Sequence, residues 1–323
     1  MSYPQVTRDD ADHLAQLRAD ALVGLSSDPK WLPPRWFYDA RGSALFEQIT
    51  RLPEYYPTRT ERAILAGHSH QTARATGATT LVELGSGSSE KTRLLLDALT
   101  SHGTLRAFVP LDVSEAALRE AAAAISADYP GLAVRPLVRD FTRDLTPLPT
   151  DGVRLVVFLG GTIGNLVPAE RARFLADLRA CLEPGEWLLL GAGLVIDPDV
   201  LVPAYDDAAG VTAEFNRNIL HVLNRELGAD FDVEAFEHVA VWVAEQEWIE
   251  MRLRATRAMT VRLPAADLTV RFAAGEELRT EVSAKFRRAG LTRELASAGF
   301  AVRHWWTDPD QRFSLSLSQA VSR

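Results

Sequence analysis

Glu83, Gly85, Gly87 and Lys91 fall in one short stretch, Thr80-Leu81-Val82-Glu83-Leu84-Gly85-Ser86-Gly87-Ser88-Ser89-Glu90-Lys91. Its apolar start reads as a buried strand, and the glycines as a turn into a helix. Glycine lets a backbone fold tightly and approach a ligand closely. A helix start behind the turn offers unpaired N–H groups and the positive end of a dipole. This spacing suits the binding of a nucleotide-like cofactor. It is not a dinucleotide pattern, because G-x-G-x-x-G requires a third glycine and Glu90 stands there. A carboxylate at that place repels a pyrophosphate, which disfavours NAD and FAD. Lys91 is expected in the first helical turn, where a cation opposes the macrodipole and calls for an anion nearby.

The Glu-x-Gly-x-Gly arrangement resembles the first motif of class I S-adenosylmethionine-dependent methyltransferases. That cofactor has no phosphate, and Glu83 suits its cationic groups. Its carboxylate is one candidate partner for Lys91. Further polar residues follow at the ends of strand-like segments, where ligands lie in doubly wound sheets. Asp112 can accept hydrogen bonds from ribose hydroxyls. Asp140-Phe141 can take an adenine amino group and ring. Gly160-Gly161-Thr162-Ile163-Gly164-Asn165 leaves open space beside a sulfonium methyl. Gly85, Lys91, Asp112, Asp140, Phe141 and Gly160 are therefore the expected cofactor residues.

Several stretches resemble the histidine-specific methyltransferase family of ergothioneine biosynthesis. They are Leu32-Pro33-Pro34-Arg35-Trp36-Phe37-Tyr38-Asp39, Leu52-Pro53-Glu54-Tyr55-Tyr56-Pro57-Thr58-Arg59-Thr60-Glu61, Phe158 to Leu166, Tyr205 to Thr212, and Glu281-Val282-Ser283-Ala284-Lys285-Phe286. The resemblance spans nearly the whole chain. It implies trimethylation of the α-amine of L-histidine to hercynine, with the mono- and dimethylated forms as further substrates, S-adenosylmethionine as donor and no metal. Where that family often has serine in the glycine-rich loop, this chain has Gly161, which is expected to loosen the loop without removing Asn165.

The resemblance also implies substrate contacts. Tyr55 and Tyr205 are assigned to the substrate carboxylate, Asn165 to the amino-acid head near the reacting nitrogen, and Tyr38 and Phe46 to the methyl-transfer region. Tyr38 and Asn165 are the expected catalytic residues, Tyr38 as proton relay and Asn165 as orienter of the amine. Met251 is expected near the imidazole or in plain core. Glu281 and Ser283 are two apart, so on an extended chain they share a side. A carboxylate accepts from one ring N–H and a hydroxyl serves the other nitrogen.

These residues need a scaffold. From about residue 61 to 196, strand and helix patterns alternate, as in a parallel sheet with crossover helices. Strands are expected at 79–84, 105–112, 132–137, 154–159 and 186–192, with helices at 114–128 and 168–182. From about 287, a helix near 291–298 and strands at 300–306 and 313–321 would add an antiparallel edge. Helical patterns cover 9–25, 42–49 and 209–227, and strand-like ones 235–242, 248–253 and 268–272. Pro53 and Pro57 are expected to force an extended or turning path. The expected class is α/β: a Rossmann-like class I methyltransferase sheet (61–196 plus 287–323) with a second, smaller α+β substrate-binding domain (1–60 plus 197–286).

Composition narrows the setting. The 323 residues are 47% hydrophobic, enough for a sizeable core. The net charge of -8 offers no basic stripe, which argues against nucleic-acid binding. The longest apolar run, around 187–196, is too short to span a bilayer. The single cysteine, Cys181, cannot form an intramolecular disulfide and is expected in the core. A cytoplasmic monomer acting on a small molecule is the expectation.

Overall fold

The computed structural model describes residues 10–141, 145, 148 and 152–322. The chain divides into two compact units. One comprises Pro57–Val195 and the chain from Lys285 onward. The other comprises Arg8–Tyr56 and Ile196–Ala284.

In the first unit the described residues form an eight-stranded sheet. Its parallel part places Thr80–Leu84 between Ala107–Asp112 and Arg154–Phe158, with Trp187–Gly193 beyond. Every residue of the Thr80–Leu84 and Arg154–Phe158 strands is buried. This explains their mostly apolar reading, since helices cover both faces of a parallel sheet. Phe313–Ala320 pairs antiparallel with Trp187–Gly193, and Phe300–Thr307 closes that edge. The unit is a Rossmann-like α/β fold of the class I methyltransferase kind.

Local expectations fail in identifiable ways. The strand read at 132–137 is two short pairings, Ala133–Val134 and Leu137–Val138. Pro136 stands between them and has no N–H to continue the ladder. Pro57 does not break the chain but sits in the first turn of the Tyr56–Thr76 helix, where a missing donor costs nothing. Cys181 follows the Pro168–Ala180 helix and is only half-buried. Trp306 stacks against the rings of His68 and His304.

In the second unit a four-stranded sheet runs in the order Lys30–Trp31, Glu277–Ala284, Trp248–Ala255, Phe236–Val243. The Val211–Leu227 helix supplies Phe215, Ile219, Val222 and Leu223 to one apolar core with this sheet and the N-terminal arm. Gly228 ends that helix in the left-handed conformation. Met259–Leu263 pairs with Leu268–Phe272 as a hairpin. The first of these strands escaped the sequence reading, although Met259–Leu263 carries the same alternation of exposed polar and buried apolar residues as Leu268–Phe272. Among the described residues no helix is long and apolar enough to cross a membrane.

Candidate functional site

In the first unit the strand ends carry a cradle. Gly85 and Gly87 have φ of 70° and 48°, left-handed values that favour glycine. A side chain on Gly85 would meet the Phe141 ring at 3.4 Å. The Asp112 carboxylate ties two loops together, accepting from the Gly87 amide at 2.9 Å and from the Ser114 amide at 2.9 Å. Phe141 packs edge-on to Phe158 and Phe174, while Asp140 beside it is half-buried.

Glu83 plays a different part from the one its position suggested. Its carboxylate is buried beneath the loop and accepts from the hydroxyls of Ser89 and Thr92. Burial pushes it up to about 7, against the lowering pull of those two hydrogen bonds. It braces the loop from inside.

Lys91 precedes the helix, which runs from Arg93 to His102 with Thr92 as its cap residue. The anion near it is Glu61, to which its ammonium is paired. Both oxygens of that same carboxylate accept from the Gly160 amide at 2.9 Å. Glu61 is fully buried, so one carboxylate joins the first glycine loop to the loop after Arg154–Phe158. Sequence reasoning missed this role. A signal existed in Gly191, inside an apolar strand, since strand glycines mark close backbone approaches. A side chain there would lie 2.0 Å from Glu61 Oε1.

Gly161 has a φ of 72°, a left-handed value that favours glycine, and a Cβ there would lie 3.4 Å from the Phe313 ring. Behind it Thr162–Asn165 forms a 3-10 turn ending on the half-buried Asn165.

This cradle fits S-adenosylmethionine. Gly85 and Gly160 are themselves exposed just past the buried strand ends. The Ser86 hydroxyl is buried within the loop with no hydrogen-bond partner among the described residues. Among the described residues no group of three His, Cys, Asp or Glu side chains is arranged to hold a metal.

In the second unit the aromatic residues form a chain of edge contacts. Tyr38 meets Phe46 at 5.7 Å and Phe215 at 5.5 Å, Phe46 meets Tyr55 at 6.2 Å, and Tyr55 meets Tyr205 at 6.5 Å. Tyr38 is fixed through its neighbours. Asn218 donates to the Phe37 carbonyl at 3.1 Å and to Asp39 at 2.8 Å. Asp39 in turn caps the Ala40–Ile49 helix through the Gly42 amide.

Glu281 and Ser283 owe their direction to a β-bulge. Glu277 and Arg279 lie opposite Arg254 and Arg252, on the face where these residues exchange ion pairs. The register then shifts at Thr280, so that Glu281 pairs with Met251 and Ser283 with Ile249. A one-residue shift turns a strand's later side chains to the other face. Without it Glu281 would face the charged side. With it, Glu281 and Ser283 share the face of the buried Met251 and Ile249. Ser283 Oγ is 2.8 Å from the Tyr205 hydroxyl. Burial, and then the nearby Glu281 charge, push the Tyr205 phenol up. Tyr205 is therefore a neutral phenol.

A family model described as histidine-specific, SAM-dependent methyltransferase matches residues 17–320. Histidine N-alpha-methyltransferase of Mycolicibacterium smegmatis is 60% identical, covering 95% of this chain and 96% of that protein. The protein of the same name from Mycobacterium tuberculosis is 57% identical, covering 96% of each. Ergothioneine biosynthesis protein 1 of Neurospora crassa is 29% identical, over 86% of this chain and 32% of that protein.

Proposed function

This chain belongs to the histidine-specific, S-adenosylmethionine-dependent methyltransferase family, and from that premise we propose how its residues trimethylate the α-amine of L-histidine. The product is hercynine, in the first step of ergothioneine biosynthesis. The observation that carries the substrate assignment is the bulge-directed pair Glu281 and Ser283, buried beside Tyr205. A carboxylate that accepts from one ring N–H, with a hydroxyl for the other nitrogen, selects an imidazole over a phenyl ring. Tyr55 and Tyr205 take the substrate carboxylate as neutral donors, Phe46 and Met251 supply apolar walls, and Asn165 orients the amine.

S-adenosylmethionine, when bound, supplies an electrophilic methyl group on a sulfonium. Gly85, Lys91, Asp112, Asp140, Phe141 and Gly160 would hold it. The amine needs a free lone pair, so each round begins with loss of an ammonium proton. Tyr38 accepts or relays that proton through water. Alignment of the amine by Asn165 and the tyrosines contributes the rest of the rate. Composition further supports a cytoplasmic setting, with one cysteine and a charge of -8. A monomeric state is in keeping with the few large apolar side chains exposed among the described residues.

The test is incubation of the protein with methyl-labelled S-adenosylmethionine and a panel of amino acids. Mass spectrometry is expected to show three labelled methyl groups on histidine alone. Equal labelling of phenylalanine or another amine would overturn the imidazole assignment.

A further inference from the structure

Asn216, His238 and Thr280 lie outside every role assigned so far, yet each is buried and hydrogen-bonded. The Asn216 and Thr280 residues are fully buried, and the His238 side chain is 2% exposed. Asn216 Nδ2 lies 3.0 Å from the Arg252 carbonyl and 2.8 Å from His238 Nδ1. His238 Nε2 lies 2.8 Å from the Tyr205 carbonyl. Thr280 Oγ1 lies 2.6 Å from Asn216 Oδ1 and 3.0 Å from the Met251 carbonyl.

Donor and acceptor rules leave one arrangement. A backbone carbonyl only accepts, so the Asn216 amide must point its NH2 group toward Arg252. The second hydrogen of that NH2 then points at His238 Nδ1, which must accept. His238 Nε2 faces another carbonyl and must donate. The ring is thus the neutral tautomer with its proton on Nε2. Asn216 Oδ1 remains to accept from Thr280, the residue at which the register shifts, whose single hydroxyl proton is shared with the more distant Met251 carbonyl. One directed chain of bonds therefore runs from the Tyr205 backbone to the bulge that turns Glu281 and Ser283 inward.

We propose that Asn216, His238 and Thr280 are positioning residues for the imidazole-binding group, fixing Tyr205 and the Thr280 bulge in one geometry through a single His238 tautomer. None of them touches the substrate. This deepens the histidine reading above and rests on it for its kinetic consequence, while the tautomer rests on geometry alone.

Two measurements test it. In protein labelled with 15N at its seven histidines, long-range 1H–15N correlation at pH 7.5 is expected to show His238 as the Nε2–H form, assigned by the pattern lost in His238→Gln. An Nδ1–H or doubly protonated ring overturns the proposal. In kinetics, Thr280→Val removes the hydroxyl and keeps the shape. It is expected to raise KM for histidine about tenfold with calorimetric cofactor affinity unchanged, the size of one lost buried hydrogen bond. Thr280→Ser restores the hydroxyl and is expected to stay within about twofold of the parent. Equal losses for histidine and cofactor, or a serine variant as poor as valine, would reduce these residues to ordinary core. Should Thr280→Val fail to fold, the serine variant and the tautomer decide. If the unaltered protein leaves histidine unmethylated, the substrate reading falls and the NMR signature still judges the network.

Discussion

At the scale of single residues, two carboxylates in different units are assigned to different ligands, and their removal separates the assignments. Glu281→Ala is expected to weaken histidine binding by at least tenfold while cofactor binding holds, because a buried imidazole N–H would lose its acceptor. Asp112→Ala is expected to do the reverse, since its carboxylate organises the Gly87 and Ser114 amides. Calorimetry with each ligand on each variant reads both, and parallel losses would sink the division. Glu61 makes a third case, with both of its oxygens on the Gly160 amide and an ion pair to Lys91. Glu61→Gln keeps the shape but removes the charge. It is expected to cost roughly 2 kcal/mol in urea unfolding, as for a charged hydrogen bond lost in the interior. A variant as stable as the parent would show that Lys91 needs no buried counter-ion. The sequence disclosed Lys91 and its want of an anion, but not Glu61 as the answer. The partners lie 30 positions apart along the chain, and only the fold brings them together.

At the scale of elements, the decisive features are places where the backbone departs from regularity. Gly161 holds a left-handed φ against the Phe313 ring. Gly161→Ser, the residue often found in the related loop, is expected to destabilise the protein by about 1 kcal/mol, the cost of a left-handed L-residue. A rise in the urea midpoint would show instead that the loop accepts a side chain. The strand–helix alternation of the first unit was legible because its buried parallel strands are mostly apolar. Its lapses follow from ambiguity in proline, which opens the helix at Pro57 and interrupts pairing at Pro136. The bulge at Thr280 was not legible. Nothing in Arg279-Thr280-Glu281 marks a register shift, which arises from pairing with a strand distant in sequence. The spacing of Glu281 and Ser283 placed them on a common side, but could not say which side faces the core.

At the scale of the whole molecule, two buried groups with opposite preferences shape the dependence of stability on pH. His238 is held below its ordinary range by burial, against the raising pull of the Tyr205 carbonyl and Asp206. The unfolded chain therefore binds this proton more readily, and His238 costs stability as pH falls below its ordinary 6.5. Glu83 has the other sign. Its ordinary value is 4.5, and in the fold it is raised to about 7. Between those values the folded chain holds more protons than the unfolded one, so the Glu83 contribution falls as pH rises through the window and levels off above 7. The full change is on the order of 3 kcal/mol. Glu83→Gln removes only this group, because glutamine stays neutral and can still meet the hydroxyls of Ser89 and Thr92, which rotate to donate or accept. His238 is common to both proteins and cancels in the comparison. Urea unfolding of parent and variant from pH 5 to 8 is expected to show the variant gaining on the parent by about 2–3 kcal/mol, with most of the gain below pH 7. Parallel curves would mean that Glu83 is already ionised beneath the glycine loop at pH 5.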